Sequence, residues 1–157
     1  VADCINPQPF GQFDVVFSAH LLNYFENQDD LSKVFKSMFE QTKPGGICSG
    51  LLASPFINYE DPESTGHFKQ NGKEVEVLSS GVPLKVLVRL SFENESSLTF
   101  TNYLWPAEIY EKCALSAGFS KFEWIRPILG SQFKESLEFF KTYLENPCTY
   151  GFKAHKN

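Results

Sequence analysis

The apolar and polar positions change period along the chain. Phe13 to Ser18 (FDVVFS) is a short, nearly continuous apolar run with β-branched residues, which predicts a strand covered on both faces. Asp29 and Asp30 offer a helix N-cap and favourable first-turn charge. Leu31, Val34, Phe35, Met38 and Phe39 follow as one apolar stripe at helical spacing. Pro44-Gly45-Gly46 ends that helix, and Ile47 to Ala53 (ICSGLLA) reads as a second buried strand. Strand, helix, glycine turn and strand make a βαβ unit, whose strands should be parallel with a right-handed crossover.

Ser54 to Gly72 is polar, carries Pro55, Pro62 and Gly66, and reads as a loop. Alternation then replaces the earlier pattern. Glu74 to Ser79, Leu84 to Phe92 and Leu98 to Leu104 are predicted as an antiparallel meander with one buried face, turning at Glu93 to Ser96. Pro106 suits the first position of a helix with Ile109, Tyr110, Cys113, Ala114 and Ala117 on its apolar side and Gly118 as its C-terminal cap. Phe122, Trp124 and Ile125 suggest a strand. A further helix carries Phe133, Leu137, Phe140 and Leu144 and closes at Asn146-Pro147. Tyr150 to His155 is a last strand. No repeat, linker or low-complexity segment interrupts this order, so one domain is the simplest parse.

Composition narrows the function classes. The 157 residues carry 14 Lys plus Arg against 19 Asp plus Glu, a formal charge of -5, without a basic run. The electrostatic footprint of a nucleic-acid binder is therefore missing. The longest apolar stretches are too short to span a bilayer, and no export signal is visible. Cys4, Cys48, Cys113 and Cys148 are widely spaced, as are His20, His67 and His155, so neither a disulfide framework nor a zinc site is expected. Reduced thiols in a cytoplasmic protein are the simplest reading. Aromatics reach 15%, and their main use should be core packing, with a substrate-stacking subset.

The segment FDVVFSAHLLNYFENQDDLSKVFKSMFEQTKPGG, Phe13 to Gly46, resembles class I S-adenosylmethionine-dependent methyltransferases. In that family the fourth strand carries an FD-V-V pattern, and a helix and L-K-P-G-G turn lead into the fifth; here Thr42 stands where Leu is usual. WPAEIYEKCALSAGFSKFEWIRP is similar to the family's next helix and sixth strand, and YGFKAHK to its seventh. The resemblance implies an α/β fold: part of a Rossmann-like methyltransferase sheet with an antiparallel insertion over residues 71–105 and an antiparallel last strand. It implies S-adenosylmethionine as cofactor, Asp3 accepting from the adenine amino group, Cys4 beside the ring, and Ser18, Ala19 and His20 lining the methionine end. The family's glycine-rich loop and ribose-binding acidic residue have no counterpart here. By the family plan they would precede Val1, so residues 1–157 are expected to be the C-terminal portion of a longer methyltransferase domain.

Methyl transfer from a sulfonium is an in-line displacement, which needs alignment, water exclusion and, for an acceptor of high pKa, a base. His20 is the base candidate because it follows a buried strand and titrates near neutrality; a histidine that only packs or hydrogen-bonds is the alternative. Tyr24, Tyr59, His67 and Tyr103 are the candidate substrate contacts, each with packing or a solvated loop as the alternative. The expected reaction is methylation of a small molecule by the full-length protein, with neither nucleic acid nor membrane as partner; a homodimer is compatible. The rival is a non-catalytic remnant serving as scaffold or partner-binding module.

Overall fold

The computed structural model describes residues 3–6, 10–57, 73–79, 81–91 and 96–157. Strand β1 (Phe13–Ala19) leads through a 3-10 turn (Leu21–Tyr24) into helix α1 (Gln28–Gln41), and strand β2 (Thr42–Ala53) follows. β1 and β2 pair in parallel, with Val16 opposite Cys48 and Ser18 opposite Gly50.

Both ends of α1 differ from expectation. Its N-cap is Asn27, whose side-chain oxygen accepts from the Asp30 amide at 2.8 Å, and Asp29 and Asp30 occupy the first turn instead. Its C-terminus closes on Thr42, whose hydroxyl donates to the Met38 carbonyl at 2.7 Å. A buried hydroxyl needs such an acceptor, which explains how Thr is accommodated where Leu is usual. The strand therefore starts at once, and Pro44-Gly45-Gly46 forms an irregularity within it. Phe13 faces Thr42 and Val15 faces Ile47, so extra residues on β2 bulge out. Gly45 takes φ 78°, and a side chain at Gly46 would run into the Asp14 and Lys43 carbonyls.

Strand β3 (Lys73–Ser79), β4 (Leu84–Ser91) and β5 (Ser97–Leu104) form a separate antiparallel sheet in that order. Helix α2 (Ala107–Ala117) follows, with Pro106 as its N-cap instead of its first residue and Gly118 (φ 116°) closing it. Strand β6 (Lys121–Ile125) comes next. The expected helix through Phe133 is divided: Ser131–Ser136 is 3-10, Phe133 has non-helical backbone (φ -111°, ψ 17°), and helix α3 runs Leu137–Glu145. Strand β7 (Thr149–His155) inserts between β2 and β6, antiparallel to both. The first sheet thus reads β1-β2-β7-β6, with β1 as an edge. Of the loop expected over Ser54 to Gly72, residues 58–72 lie outside the described residues, as do 93–95 of the turn expected over Glu93 to Ser96.

Alternation gives the first sheet two unlike faces. One carries Cys48, Leu52, Phe152 and Ala154, all fully buried beneath Leu31, Val34 and Phe35 of α1 and Tyr110, Cys113 and Ala114 of α2. Phe122 stacks on Phe152 with ring centroids 5.5 Å apart. Burying each large side chain here is worth about 1.5–3 kcal/mol. The other face carries Phe13, Val15 and Phe17 on β1, which are 45%, 55% and 61% exposed, and the exposed Leu51 on β2. Across the same face, at β6 and β7, Glu123 binds His155 at 2.7 Å and Lys121 at 2.8 Å. Lys121 and then His155 hold the Glu123 carboxyl below its usual range through hydrogen bonds. This face is apolar at β1 and ionic at β6. Among the described residues, no helix is long and apolar enough to cross a membrane.

Candidate functional site

The site grows from the carboxyl ends of β1 and β2. His20, the residue after β1, donates its amide to the Leu51 carbonyl at 2.7 Å and takes a left-handed backbone (φ 55°, ψ 9°). Histidine tolerates that conformation better than β-branched residues do, and it turns the chain sharply out of the sheet. The 3-10 turn that follows is anchored by Asn23, fully buried, whose side-chain oxygen accepts from the Ala53 amide at 2.9 Å. The ends of β1 and β2 are thereby fixed to each other.

The second sheet presents its inward face to these ends. Between them lies a cavity of about 280 Å3, lined on one side by His20, Tyr24, Ala53 and Thr149 and on the other by residues that include Val86, Phe100 and Asn102. The Tyr24 and Phe100 rings meet at 6.2 Å, joining the two walls. No Lys, Arg, Asp or Glu side chain is among the described residues of this lining.

Asn102 is the residue sequence reasoning missed. It lies on the middle of β5, opposite Val86, on the face that also carries Phe100 and Leu104. The alternation Leu98, Phe100, Asn102, Leu104 contains one polar member, and that break was the available signal. Asn102 is only 8% exposed, and its Oδ1 has no hydrogen-bond partner among the described residues. Leaving such an acceptor unpaired costs about 1–3 kcal/mol.

The predicted cofactor-side residues fall nearby in part. Cys4 and Ser18 line one small cavity of about 140 Å3 with Leu21 and Met38. The Ser18 hydroxyl is buried without a partner among the described residues, and burial pushes the Cys4 thiol up. Gly50 must remain glycine beside it, because a side chain there would collide with the Ser18 carbonyl and the Phe152 ring. Asp3 is exposed; its carboxylate accepts from the Ile5 amide at 3.0 Å and the Asn6 amide group at 2.7 Å, which shapes the turn that carries it. Ala19 is exposed at the end of β1.

Of the predicted substrate contacts, Tyr24 and His20 share the larger cavity. Tyr103 is not brought there. Strand alternation turns it to the face opposite Asn102, where the Lys85 ammonium lies 5.5 Å from its ring centre. Tyr59 and His67 lie outside the described residues. All four cysteines are free, and no group of three His, Cys, Asp or Glu side chains among the described residues could hold a metal ion.

The comparisons agree with this architecture. Residues 1–49 match the family model of the methyltransferase domain. Solved structures match along almost the whole chain. An S-adenosylmethionine-dependent methyltransferase of Clostridium acetobutylicum is 13% identical with TM-score 0.56, aligning 99% of this chain and 63% of its own. A Listeria monocytogenes protein described as a member of the same enzyme class is 16% identical with TM-score 0.61, over 98% of this chain and 64% of its own. The amino pentose methyltransferase CalS10 of Micromonospora echinaspora, solved with S-adenosylmethionine bound, is 12% identical with TM-score 0.58, over 99% and 63%. No curated protein sequence matches. The chain therefore has the Rossmann-like fold of class I S-adenosylmethionine-dependent methyltransferases, as the motifs from Phe13 to Gly46 implied. It spans less than two thirds of the length of these neighbours.

Proposed function

We propose that this chain forms the acceptor side of an enzyme that methylates a small molecule with S-adenosylmethionine. The observation that carries the reading is the 280 Å3 cavity at the carboxyl ends of β1 and β2, the position where open α/β sheets bind ligands. The residues present fit one side of the cofactor. Asp3 offers an exposed carboxylate acceptor to an exocyclic amine, and Cys4 and the Ser18 hydroxyl, which has no partner among the described residues, line one small cavity beside the end of β1. When bound, S-adenosylmethionine supplies an electrophilic methyl group. The chain's own part is to hold the acceptor in this pocket, align it, and take its proton on the His20 imidazole when the nucleophile is a hydroxyl or amine.

The exposed face of β1 supports a second element of the proposal. Phe13, Val15 and Phe17 on an edge strand form an apolar surface of the kind that soluble domains cover. We read it as the seat of a further strand and helix layer of the same catalytic domain, which brings the glycine-rich loop and ribose carboxylate that residues 1–157 do not contain. The free thiols accord with a cytoplasmic location.

Calorimetric titration with S-adenosylmethionine tests both elements. Micromolar binding is expected for a longer protein with those upstream elements and little or none for residues 1–157. Absence of binding by both would favour a non-catalytic scaffold. His20→Asn tolerates the left-handed backbone and removes the base, so unchanged turnover of that variant would exclude His20 from proton transfer.

A further inference from the structure

The lining of the larger cavity says more about its occupant than its position does. The inward faces of β3, β4 and β5 contribute Val75, Val86, Val88, Phe100 and Leu104, hydrocarbon throughout. Among the described residues, the single polar group on that wall is Asn102, which is more than nine-tenths buried and whose Oδ1 has no partner among them. An amide oxygen accepts hydrogen bonds and does not donate them. A charged group would lose hydration against this wall, and the described lining offers it no Lys, Arg, Asp or Glu partner. A cavity of about 150 Å3 holds benzene, so 280 Å3 suits a molecule of about ten to twelve non-hydrogen atoms.

We propose that the cavity takes an uncharged, largely hydrocarbon molecule whose one hydrogen-bond donor is bound by the Asn102 carbonyl. Asn102 is then the specificity-determining residue. It admits an apolar skeleton with a hydroxyl or an uncharged N–H and discriminates against the same skeleton without a donor. A sugar, with hydroxyl groups on every side, would leave most of them facing Val75, Val86 and Val88, so the acceptor differs in class from an amino pentose. That this molecule is the methyl acceptor rests on the methyltransferase reading; its binding does not.

The test uses residues 1–157 and four probes without S-adenosylmethionine: 2-naphthol, naphthalene, 2-naphthoate and methyl glucoside, followed by titration calorimetry or NMR. The expected result is that 2-naphthol binds about tenfold more tightly than naphthalene, with 2-naphthoate and methyl glucoside not binding measurably. Asn102→Leu, of similar size, should erase the preference for 2-naphthol while keeping naphthalene binding, which also reports that the cavity is intact. Asn102→Ser, which retains an acceptor oxygen, should restore part of the preference. Equal affinity of the unaltered chain for 2-naphthol and naphthalene, or a preference that survives Asn102→Leu, would overturn the role of Asn102. Binding of 2-naphthoate or methyl glucoside as tight as that of 2-naphthol would overturn the substrate class. Probe binding without later methylation by the longer protein would leave this inference standing and count against the enzymatic reading alone.

Discussion

The Trp105 indole N–H donates to the Phe25 carbonyl at 2.9 Å, in the interior, and so fastens the end of β5 to the segment between β1 and α1. It ties the same two regions as the Tyr24–Phe100 ring contact and the Lys85–Glu26 ion pair, beside the larger cavity. Trp105→Phe removes the donor, leaves the carbonyl unpaired and should cost about 1–3 kcal/mol. Urea unfolding followed by fluorescence of Trp124 would measure it. An unchanged midpoint would show that the sheets are held elsewhere.

Gly50→Ala should destabilise the chain by about 1–3 kcal/mol through overpacking, because the added methyl meets the Ser18 carbonyl and the Phe152 ring at once. The measurement is a thermal melt. Gly45→Ala meets no neighbouring atom, so whatever it costs comes from its positive φ, and comparing the two variants separates crowding from backbone strain.

Stability should fall on the alkaline side. Burial pushes the Cys48 thiol up to about 12 from 9.0, and burial also pushes the Tyr110 hydroxyl up strongly. Both groups are held neutral in the folded chain and ionise more readily once unfolded. Their contribution is complete below about pH 9 and is lost as pH rises through the folded values, near 12 for Cys48. Melts between pH 7 and 11 should show this decline, and Cys48→Ala should flatten it. A melting temperature that stays constant to pH 11 would contradict the assignment. At pH 8 iodoacetamide should modify Cys48 only on unfolding, since the thiolate is the nucleophile.

Phe17→Ser should leave stability within about 0.5 kcal/mol, because the ring is 61% exposed. The same change should lower binding of a hydrophobic dye and self-association measured by light scattering. Phe152→Ser, by contrast, would remove a fully buried ring and unfold the chain.

Much of this organisation was legible in the residues. FDVVFS and ICSGLLA announced the parallel pair, and the Leu31-to-Phe39 stripe announced α1, because periodicity records which face is buried. The ends were harder to read. Asn27 displaced Asp29 and Asp30 as cap because capping depends on one side chain reaching a particular amide. Pro44-Gly45-Gly46 became a bulge because parallel pairing with β1 starts already at Thr42, which local turn preference does not reveal. At the candidate site, the place of His20 and Tyr24 after β1 could be read from the sequence, and both line the larger cavity. Asn102 was visible only as a break in an alternating strand, and its meaning required knowing that β5 faces β1 and β2 across a cavity. Tyr103, one residue on, shows how alternation decides such assignments: a shift of one position exchanges the pocket for the opposite face.

The cavity's walls come from separate stretches of chain, residues 13–53 with the start of β7 on one side and residues 73–104 on the other. Amino-acid changes confined to β3, β4 and β5 can therefore reshape the hydrocarbon wall while the parallel strands, Gly50 and the left-handed turn at His20 stay as they are. Such a division separates the wall from the scaffold that carries it. Grafting a different three-stranded sheet between Ala53 and Trp105 becomes a direct way to redesign selectivity.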